Sequence, residues 1–109
     1  MVEQVLEALS QTPAPVVACL GLTYKPDVDD LRNSPALEVA RTLIAEHGPE
    51  VILVDPHLPE TSGLNLTSLQ AAVKKANVVV FLVNHAAFQT LRDQDLEGKV
   101  VLDFCGARV

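Results

Sequence analysis

The chain has 109 residues, of which 49% are hydrophobic and 20% charged, and its formal net charge is −6. These values favour a single folded domain and exclude intrinsic disorder. An acidic chain with scattered lysines and arginines lacks a basic surface for nucleic acid, and no apolar run approaches the roughly 20 residues that span a bilayer. Because the amino terminus lacks the features of a signal peptide, we expect a cytoplasmic protein with no membrane partner and no nucleic-acid partner.

The hydrophobic pattern predicts a short first helix followed by alternating strands and helices. Residues 2–10 carry an amphipathic stripe, and the Thr-Pro-Ala-Pro sequence at 12–15 ends that helix. This helix fits a connector from a preceding domain as well as a part of this one. We divide the chain into a connector at 1–13 and a domain at 14–109. The further elements are predicted as strands at 16–21, 51–54, 78–83 and 99–103 and helices at 35–47, 68–76 and 85–92.

This alternation also predicts the fold class. Strands that are apolar on both faces are typical of parallel sheets with helices on both sides. We therefore predict an α/β fold, namely a three-layer α/β/α Rossmann-like parallel sheet in a single domain.

Capping residues predict several helix boundaries. Ser34 is a natural N-cap, with Pro35 in the first helical position, and the glycine and proline at 48–49 end that helix. The Thr-Ser-Leu-Gln sequence at 67–70 matches a capping box, and Asn84 is expected to cap the last helix. Capping accounts for Ser34 and Asn84, so we favour a structural role for both.

The two cysteines, Cys19 and Cys105, lie within or beside apolar strand-like runs. We predict that both are buried free thiols. A metal site would need more ligands at close spacing, and the sequence offers none, so no metal is predicted.

Polar residues stand near the end of each predicted strand. Carboxyl ends of parallel strands share one edge of a sheet, so we expect these side chains to gather at one crevice. For Asp55, a structural role and a ligand-binding role remain equally open. The residues at this edge are Tyr24, Lys25, Asp55, His57, Asn84, His85 and Asp103.

The first strand does not continue into a dinucleotide fingerprint. That fingerprint needs three glycines, and here only Gly21 is present, with Thr23 and Pro26 at the other two positions. We therefore expect this domain not to hold a dinucleotide in the usual way.

The segment at 21–35 is much longer and more polar than a typical strand-to-helix loop of about 2–6 residues. Its cations, Lys25 and Arg32, are candidates for holding a phosphate, with the helix amino terminus at Ser34 adding backbone donors. Arg32 fits equally well with a purely structural ion pair to Asp29 or Asp30.

The sequence of this segment, Gly-Leu-Thr-Tyr-Lys-Pro-Asp-Val-Asp-Asp-Leu-Arg-Asn-Ser-Pro, closely resembles the C-terminal UDP-binding domain of the UDP-glucose/GDP-mannose dehydrogenase family. The resemblance continues through Val-Asp-Pro at 54–56, through Phe-Leu-Val-Asn-His-Ala-Ala-Phe at 81–88 and to Val-Leu-Asp at 101–103, and it covers about residues 14–109. The Asp-Asp-Leu-Arg and Val-Asn-His sequences are most similar to the UDP-N-acetyl-D-mannosamine dehydrogenase branch.

The resemblance implies an enzyme that oxidises the primary alcohol of a UDP-sugar to a carboxylate with NAD⁺, through a cysteine-linked thiohemiacetal. It implies that Tyr24 and Lys25 contact the nucleotide sugar and that Arg32 reaches the NAD held by another domain, which favours the ligand role for Arg32. Some relatives carry a substrate-binding arginine after the last strand, and Arg108 is the corresponding candidate. A homodimer of the full enzyme is also implied.

Two departures from the family pattern matter. The NAD-binding and central domains and the catalytic cysteine lie upstream of this region in the family, and neither Cys19 nor Cys105 matches the catalytic position. We therefore assign no catalytic residue and expect this chain alone to be inactive. The alternative is a stand-alone binding or receiver-like regulatory module that uses Asp29, Asp30 and Asp55 around a divalent ion, although Asn84 stands where a receiver has its acceptor carboxylate.

Overall fold

A computed structural model of the chain describes residues 2–12, 14–23, 34–47, 50–58 and 65–106. Within these residues, no helix is long and apolar enough to cross a membrane. In chain order the elements are α1 (Val2–Ser10), β1 (Val17–Leu20), α2 (Pro35–His47), β2 (Val51–Val54), α3 (Leu69–Lys75), β3 (Val78–Phe81), two 3₁₀ helices (Ala86–Thr90 and Asp93–Leu96) and β4 (Val100–Asp103).

The four strands form one parallel sheet in the order β2-β1-β3-β4. The central strands β1 and β3 are fully buried, whereas the edge strand β4 is partly exposed. Burial of both faces explains why the central strands consist entirely of apolar residues. The predicted parallel α/β sheet is confirmed, with strands that begin or end up to two residues inside the predicted bounds.

Helices cover both faces of the sheet, which confirms the predicted three layers. Successive residues of a strand point to opposite faces, so Ala18 and Leu20 pack on the side of α3 and the 3₁₀ helices. Val17 and Cys19 pack on the other side, against α1 and α2. The sheet is therefore held in place from both sides, and its strand ends are fixed relative to one another.

The first helix, α1, packs on the α2 side of the sheet. Its residues Val5 and Leu9 are buried in the core formed with α2 and the sheet. The division of the chain at residue 13 stays a prediction.

The helix predicted at 85–92 is not an α-helix. The chain forms the 3₁₀ helix Ala86–Thr90 there, and Phe88 and Leu91 are buried against the core. Phe88 lies within this 3₁₀ helix, whereas Leu91 is its C-cap residue and has an extended backbone, so the helix ends before the predicted bound at residue 92. The prediction that Asn84 caps it is also wrong, because His85 is the N-cap residue and the Asn84 side chain accepts a hydrogen bond from Gln89 Nε2 at 2.8 Å.

The capping box predicted at 67–70 lies one residue off the observed cap. Ser68 is the N-cap of α3, and its Oγ accepts a hydrogen bond from the Ala71 amide at 3.4 Å. Thr67 instead donates its amide to the carbonyl of Leu53 at 2.9 Å. Pairing with β2 keeps Thr67 extended, and the helix therefore begins one residue later than its local sequence suggests.

Candidate functional site at the carboxyl ends of the strands

The strand order places a topological switch point between β1 and β3. In open parallel sheets, ligands bind outside the carboxyl ends of the strands at such a point. The described segments that leave the strands there are residues 21–23 after β1, 55–58 after β2 and 82–85 after β3. These segments form the rim of the candidate site.

Asp55 joins all three segments of the rim. Its Oδ2 accepts hydrogen bonds from the Leu22 amide at 2.8 Å and from His85 Nε2 at 2.9 Å. Its Oδ1 accepts one from the His57 amide at 2.9 Å. Asp55 is only 4% exposed, so these hydrogen bonds form a buried connection, or tie, between the segments at this edge of the sheet.

The charge of Asp55 is set by these donors. Burial opposes ionisation, but the hydrogen bond from His85 and those from the amides of Leu22 and His57 outweigh it, so the pKa of the Asp55 carboxyl lies below its usual value. Asp55 is therefore an anion at neutral pH. An anionic carboxylate only accepts hydrogen bonds, so the proton between it and His85 resides on Nε2 of the imidazole.

The imidazole of His85 is completely buried and is contacted from several sides. The Thr23 hydroxyl oxygen lies 3.2 Å from the same Nε2 atom. The His57 ring lies with its centroid 4.5 Å from that of His85, and the Phe88 ring packs edge-on at 5.4 Å. A histidine enclosed in this way has one ring orientation, which fixes the direction of its hydrogen bonds.

The two ends of the predicted ligand segment are tied together. The Ser34 hydroxyl donates to the carbonyl of Leu22 at 2.7 Å and accepts from the Leu37 amide at 3.2 Å. This confirms Ser34 as the N-cap of α2 and adds a second role. Because Asp55 holds the Leu22 amide and Ser34 holds its carbonyl, Leu22 is anchored at both of its peptide groups.

Gly21 lies at a close approach of the segments after β1 and β3. Its φ is +96°, and a Cβ atom there would lie 2.7 Å from Val83 Cβ and 2.8 Å from the Val83 amide nitrogen. A dinucleotide cradle would also need a glycine at Thr23, but that side chain is buried against His85. The expectation that this domain does not hold a dinucleotide in the usual way stays a prediction.

Two cavities lie on the α3 side of the sheet. One of about 480 Å³ borders the rim beside Asp55, Pro56, Leu58 and Ala87. A larger one of about 630 Å³ is lined by Lys74, Leu91, Arg92 and Lys99 and lies towards the segment that precedes β4. Of these two cavities, only the smaller is lined by rim residues, namely Asp55, Pro56 and Leu58. The larger volume of the other cavity therefore does not identify it as the site.

The residues predicted to contact ligands fall in the remaining part of the chain. Tyr24, Lys25, Arg32 and Arg108 lie outside the described residues. The predicted gathering of polar residues is confirmed for Asp55, His57 and His85. Asp103 instead accepts hydrogen bonds from the backbone and thiol of the nearby Cys105. Thr23 was missed, because a threonine after an apolar strand carries no sequence signal for a histidine partner.

The cysteines differ more than predicted. Cys19 is a buried free thiol, whereas Cys105 is also free but partly exposed. Burial raises the pKa of the Cys19 thiol to about 12. No group of three or more potential metal ligands exists in the described ranges.

Iodoacetamide at pH 8 is expected to modify Cys105 of the folded chain and to leave Cys19 unmodified. At a pKa of about 12, only about one Cys19 thiol in ten thousand is the reactive thiolate at that pH, and the side chain is enclosed as well. Mass spectrometry of tryptic peptides measures the two sites separately. Both should react in urea, and rapid labelling of Cys19 without urea would contradict its burial.

Comparison with known proteins identifies the kind of domain. Residues 18–107 match the model of the UDP-glucose/GDP-mannose dehydrogenase family, UDP binding domain. The NDP-N-acetyl-D-galactosaminuronic acid dehydrogenase of Ralstonia nicotianae is 37% identical over 110 residues, which cover 97% of this chain and 26% of that protein. The UDP-N-acetyl-D-mannosamine dehydrogenase of Yersinia pestis is 37% identical over 95 residues, covering 83% of this chain and 23% of that protein.

Solved structures agree with this comparison. The UDP-N-acetyl-mannosamine dehydrogenase of Staphylococcus aureus superposes with a TM-score of 0.82 at 32% identity, over 97% of this chain and 26% of that one. The chain thus spans about a quarter of the length of the proteins that it matches.

Proposed function

Since this chain belongs to the UDP-glucose/GDP-mannose dehydrogenase family as its UDP-binding domain, we propose that it is the C-terminal substrate-binding part of an NAD-dependent UDP-sugar 6-dehydrogenase. The whole enzyme would oxidise the primary alcohol of the sugar to a carboxylate, with NAD as the hydride acceptor. The NAD-binding and central domains would belong to the rest of the protein, and the full enzyme would be a homodimer. The single observation that carries this proposal is the family match over residues 18–107, supported by a rim built at the switch point of the sheet.

The residues proposed to hold the ligand are those that the sequence singled out. Tyr24 and Lys25 would contact the nucleotide sugar, and Arg108 would be a further substrate contact. Arg32 would reach the NAD held by the neighbouring domain. The net charge of −6 means that the overall field does not attract an anionic diphosphate, so binding depends on individual cations placed at the rim.

The sugar that we propose is N-acetyl-D-mannosamine. The motif variants at 29–32 and 83–85 suggested this branch, and the Yersinia pestis and Staphylococcus aureus relatives carry that name. The Ralstonia nicotianae relative, equally identical in sequence, is named for a different N-acetylated sugar. The names of these relatives thus share an N-acetylated sugar attached to a nucleoside diphosphate.

The receiver-like alternative is less well supported. A receiver would need the carboxylate of Asp55 to be available to a divalent ion. Both Asp55 oxygens instead accept hydrogen bonds from protein donors, and the residue is buried. The family match covers most of the chain and points to a different class.

We expect this chain to bind UDP weakly and the Lys25→Ala variant to bind it at least about tenfold more weakly, since one charge-assisted hydrogen bond is worth about 1.5–3 kcal/mol. Isothermal titration calorimetry at low ionic strength measures both affinities. Lys75→Ala, which removes an exposed cation from α3, is the matched control and should leave the affinity unchanged. Equal affinities for the Lys25→Ala and unaltered chains would contradict the assignment of Lys25, and absence of UDP binding would contradict the proposed function.

The same preparation should produce no NADH from UDP-N-acetyl-D-mannosamine and NAD⁺. The catalytic cysteine and the NAD-binding domain are expected in other parts of the enzyme. Absorbance at 340 nm measures NADH directly. Turnover by this chain alone would contradict the proposal that catalysis and NAD binding belong to other parts of the enzyme.

A further inference from the structure

We propose that Thr23, His85 and Asp55 form a positioning device for the substrate-binding residues Tyr24 and Lys25. This inference rests on the proposed function and adds three residues to it. We call these three side chains the rim triad. None of them needs to touch the nucleotide sugar, because the triad acts through the backbone that leads into the ligand segment.

The rim triad connects three strands that are adjacent in the sheet. Asp55 follows β2, Thr23 follows β1 and His85 follows β3, and the sheet order is β2-β1-β3-β4. His85 Nε2 lies 2.9 Å from Asp55 Oδ2 and 3.2 Å from Thr23 Oγ1. The imidazole of His85, which follows β3, therefore contacts residues that follow both β1 and β2.

Covalent geometry makes this contact consequential for the ligand segment. Thr23 immediately precedes Tyr24 in the chain, and consecutive Cα atoms lie about 3.8 Å apart, so the position of Thr23 fixes where the ligand segment begins. Binding groups have to be held within about 0.5 Å of their productive positions by packing and by supporting hydrogen bonds. Because Asp55 also holds the Leu22 amide, the rim triad controls two consecutive residues at the start of the segment.

The surroundings of the triad are built for rigidity. All three residues are at most 4% exposed, and the described residues contain no buried side-chain nitrogen or oxygen atom without a hydrogen-bond partner. The His57 and Phe88 rings enclose the imidazole and stop it from rotating. The anionic Asp55 keeps the single Nε2 proton directed at its Oδ2 at 2.9 Å, and the Thr23 hydroxyl oxygen, 3.2 Å from the same nitrogen, shares that proton as a second and weaker acceptor.

The test compares UDP affinity in variants that differ by one hydroxyl group. Thr23→Val keeps the shape of the side chain and removes the hydroxyl, and we expect UDP binding to weaken about two- to tenfold, as for the loss of one neutral hydrogen bond. Thr23→Ser keeps the hydroxyl and should restore the affinity to within about twofold. Thr42→Val is the matched control, because it removes a hydroxyl that donates to Glu38 O at 2.9 Å on the exposed face of α2.

A second pair tests the other end of the same contact, so the result does not depend on the folding of one variant. His85→Gln keeps an amide donor near the Nε2 position, whereas His85→Leu has none. We expect UDP affinity to fall at least about tenfold more in His85→Leu than in His85→Gln, since the Leu variant also leaves a buried carboxylate with one donor fewer. All affinities are corrected for the folded fraction, measured by circular dichroism.

The outcomes separate this inference from the proposed function. If the unaltered chain fails to bind UDP, the proposed function is wrong and the positioning role is lost with it. If the unaltered chain binds UDP while the valine and leucine variants bind equally well per folded molecule, only the positioning role is wrong. A loss of affinity that serine at 23 and glutamine at 85 restore supports it.

Discussion

Replacing Asp55 with alanine is expected to lower the free energy of unfolding by about 3–5 kcal/mol, the cost of removing one partner from a buried ionic hydrogen-bond network. The variant leaves two buried donors, the Leu22 amide and the His85 imidazole, and one half-buried donor, the His57 amide, without the acceptor that Asp55 provides. Small domains are stable by about 5–15 kcal/mol in total, so the loss should be plain in urea denaturation followed by circular dichroism.

The control for this variant is Asp93→Ala. Asp93 is exposed at the start of the second 3₁₀ helix, and a surface substitution of this kind changes stability by about 0.5 kcal/mol or less. Similar losses in Asp55→Ala and Asp93→Ala would show that the buried network contributes little, and the description of Asp55 as a tie across the rim would then be wrong.

The charge of Asp55 can be tested separately through pH with Asp55→Asn. The pKa of Asp55 is lower in the folded than in the unfolded state, so ionisation favours folding. This contribution is fully present above the unfolded-state pKa of about 3.9 and is lost as the pH falls through the lower pKa of the folded chain. The stability difference between the unaltered and Asp55→Asn chains should therefore shrink in acid, and a difference independent of pH would argue against an ionised Asp55.

The sequence predicted most of the fold because its local patterns agree with its tertiary structure. Apolar strands and amphipathic helices alternate, and Ser34 caps α2 through the hydroxyl that the sequence indicated. The errors occur where a contact distant in sequence decides the local structure. Pairing with Leu53 keeps Thr67 extended, and the segment that buries Phe88 and Leu91 in the core forms a 3₁₀ helix that ends at Thr90.

The sequence predicted which polar residues lie at the candidate site, but only some of the contacts between them. Parallel strands imply that Asp55 and His85 share an edge, so their proximity followed from the pattern. Their direct hydrogen bond did not, because it depends on how closely the segments after β2 and β3 approach each other across β1. A linear sequence does not specify that order, nor does it show that Thr23 reaches the same imidazole nitrogen.

Gly21→Ala is the second substitution with a large expected effect, a loss of about 2–5 kcal/mol in the free energy of unfolding. A left-handed backbone costs a residue with a Cβ atom roughly 1–2 kcal/mol, and forcing an added methyl into a packed region costs about 1–3 kcal/mol more. Both apply here, because the φ of Gly21 is +96° and the added Cβ would lie within 3 Å of three atoms of Val83.

Gly98→Ala separates the two contributions. Its φ of +78° imposes the backbone cost, but an added Cβ would meet nothing within 4 Å, so the expected loss is only roughly 1–2 kcal/mol. The excess loss in Gly21→Ala then measures how closely the segments after β1 and β3 approach at the switch point. Because Val83 precedes His85 by two residues, that approach also sets the distance across which His85 reaches Thr23. Equal losses in the free energy of unfolding for the two variants would mean that Val83 and its neighbours move aside at little cost. A segment that moves so easily would be unable to hold Thr23 in place.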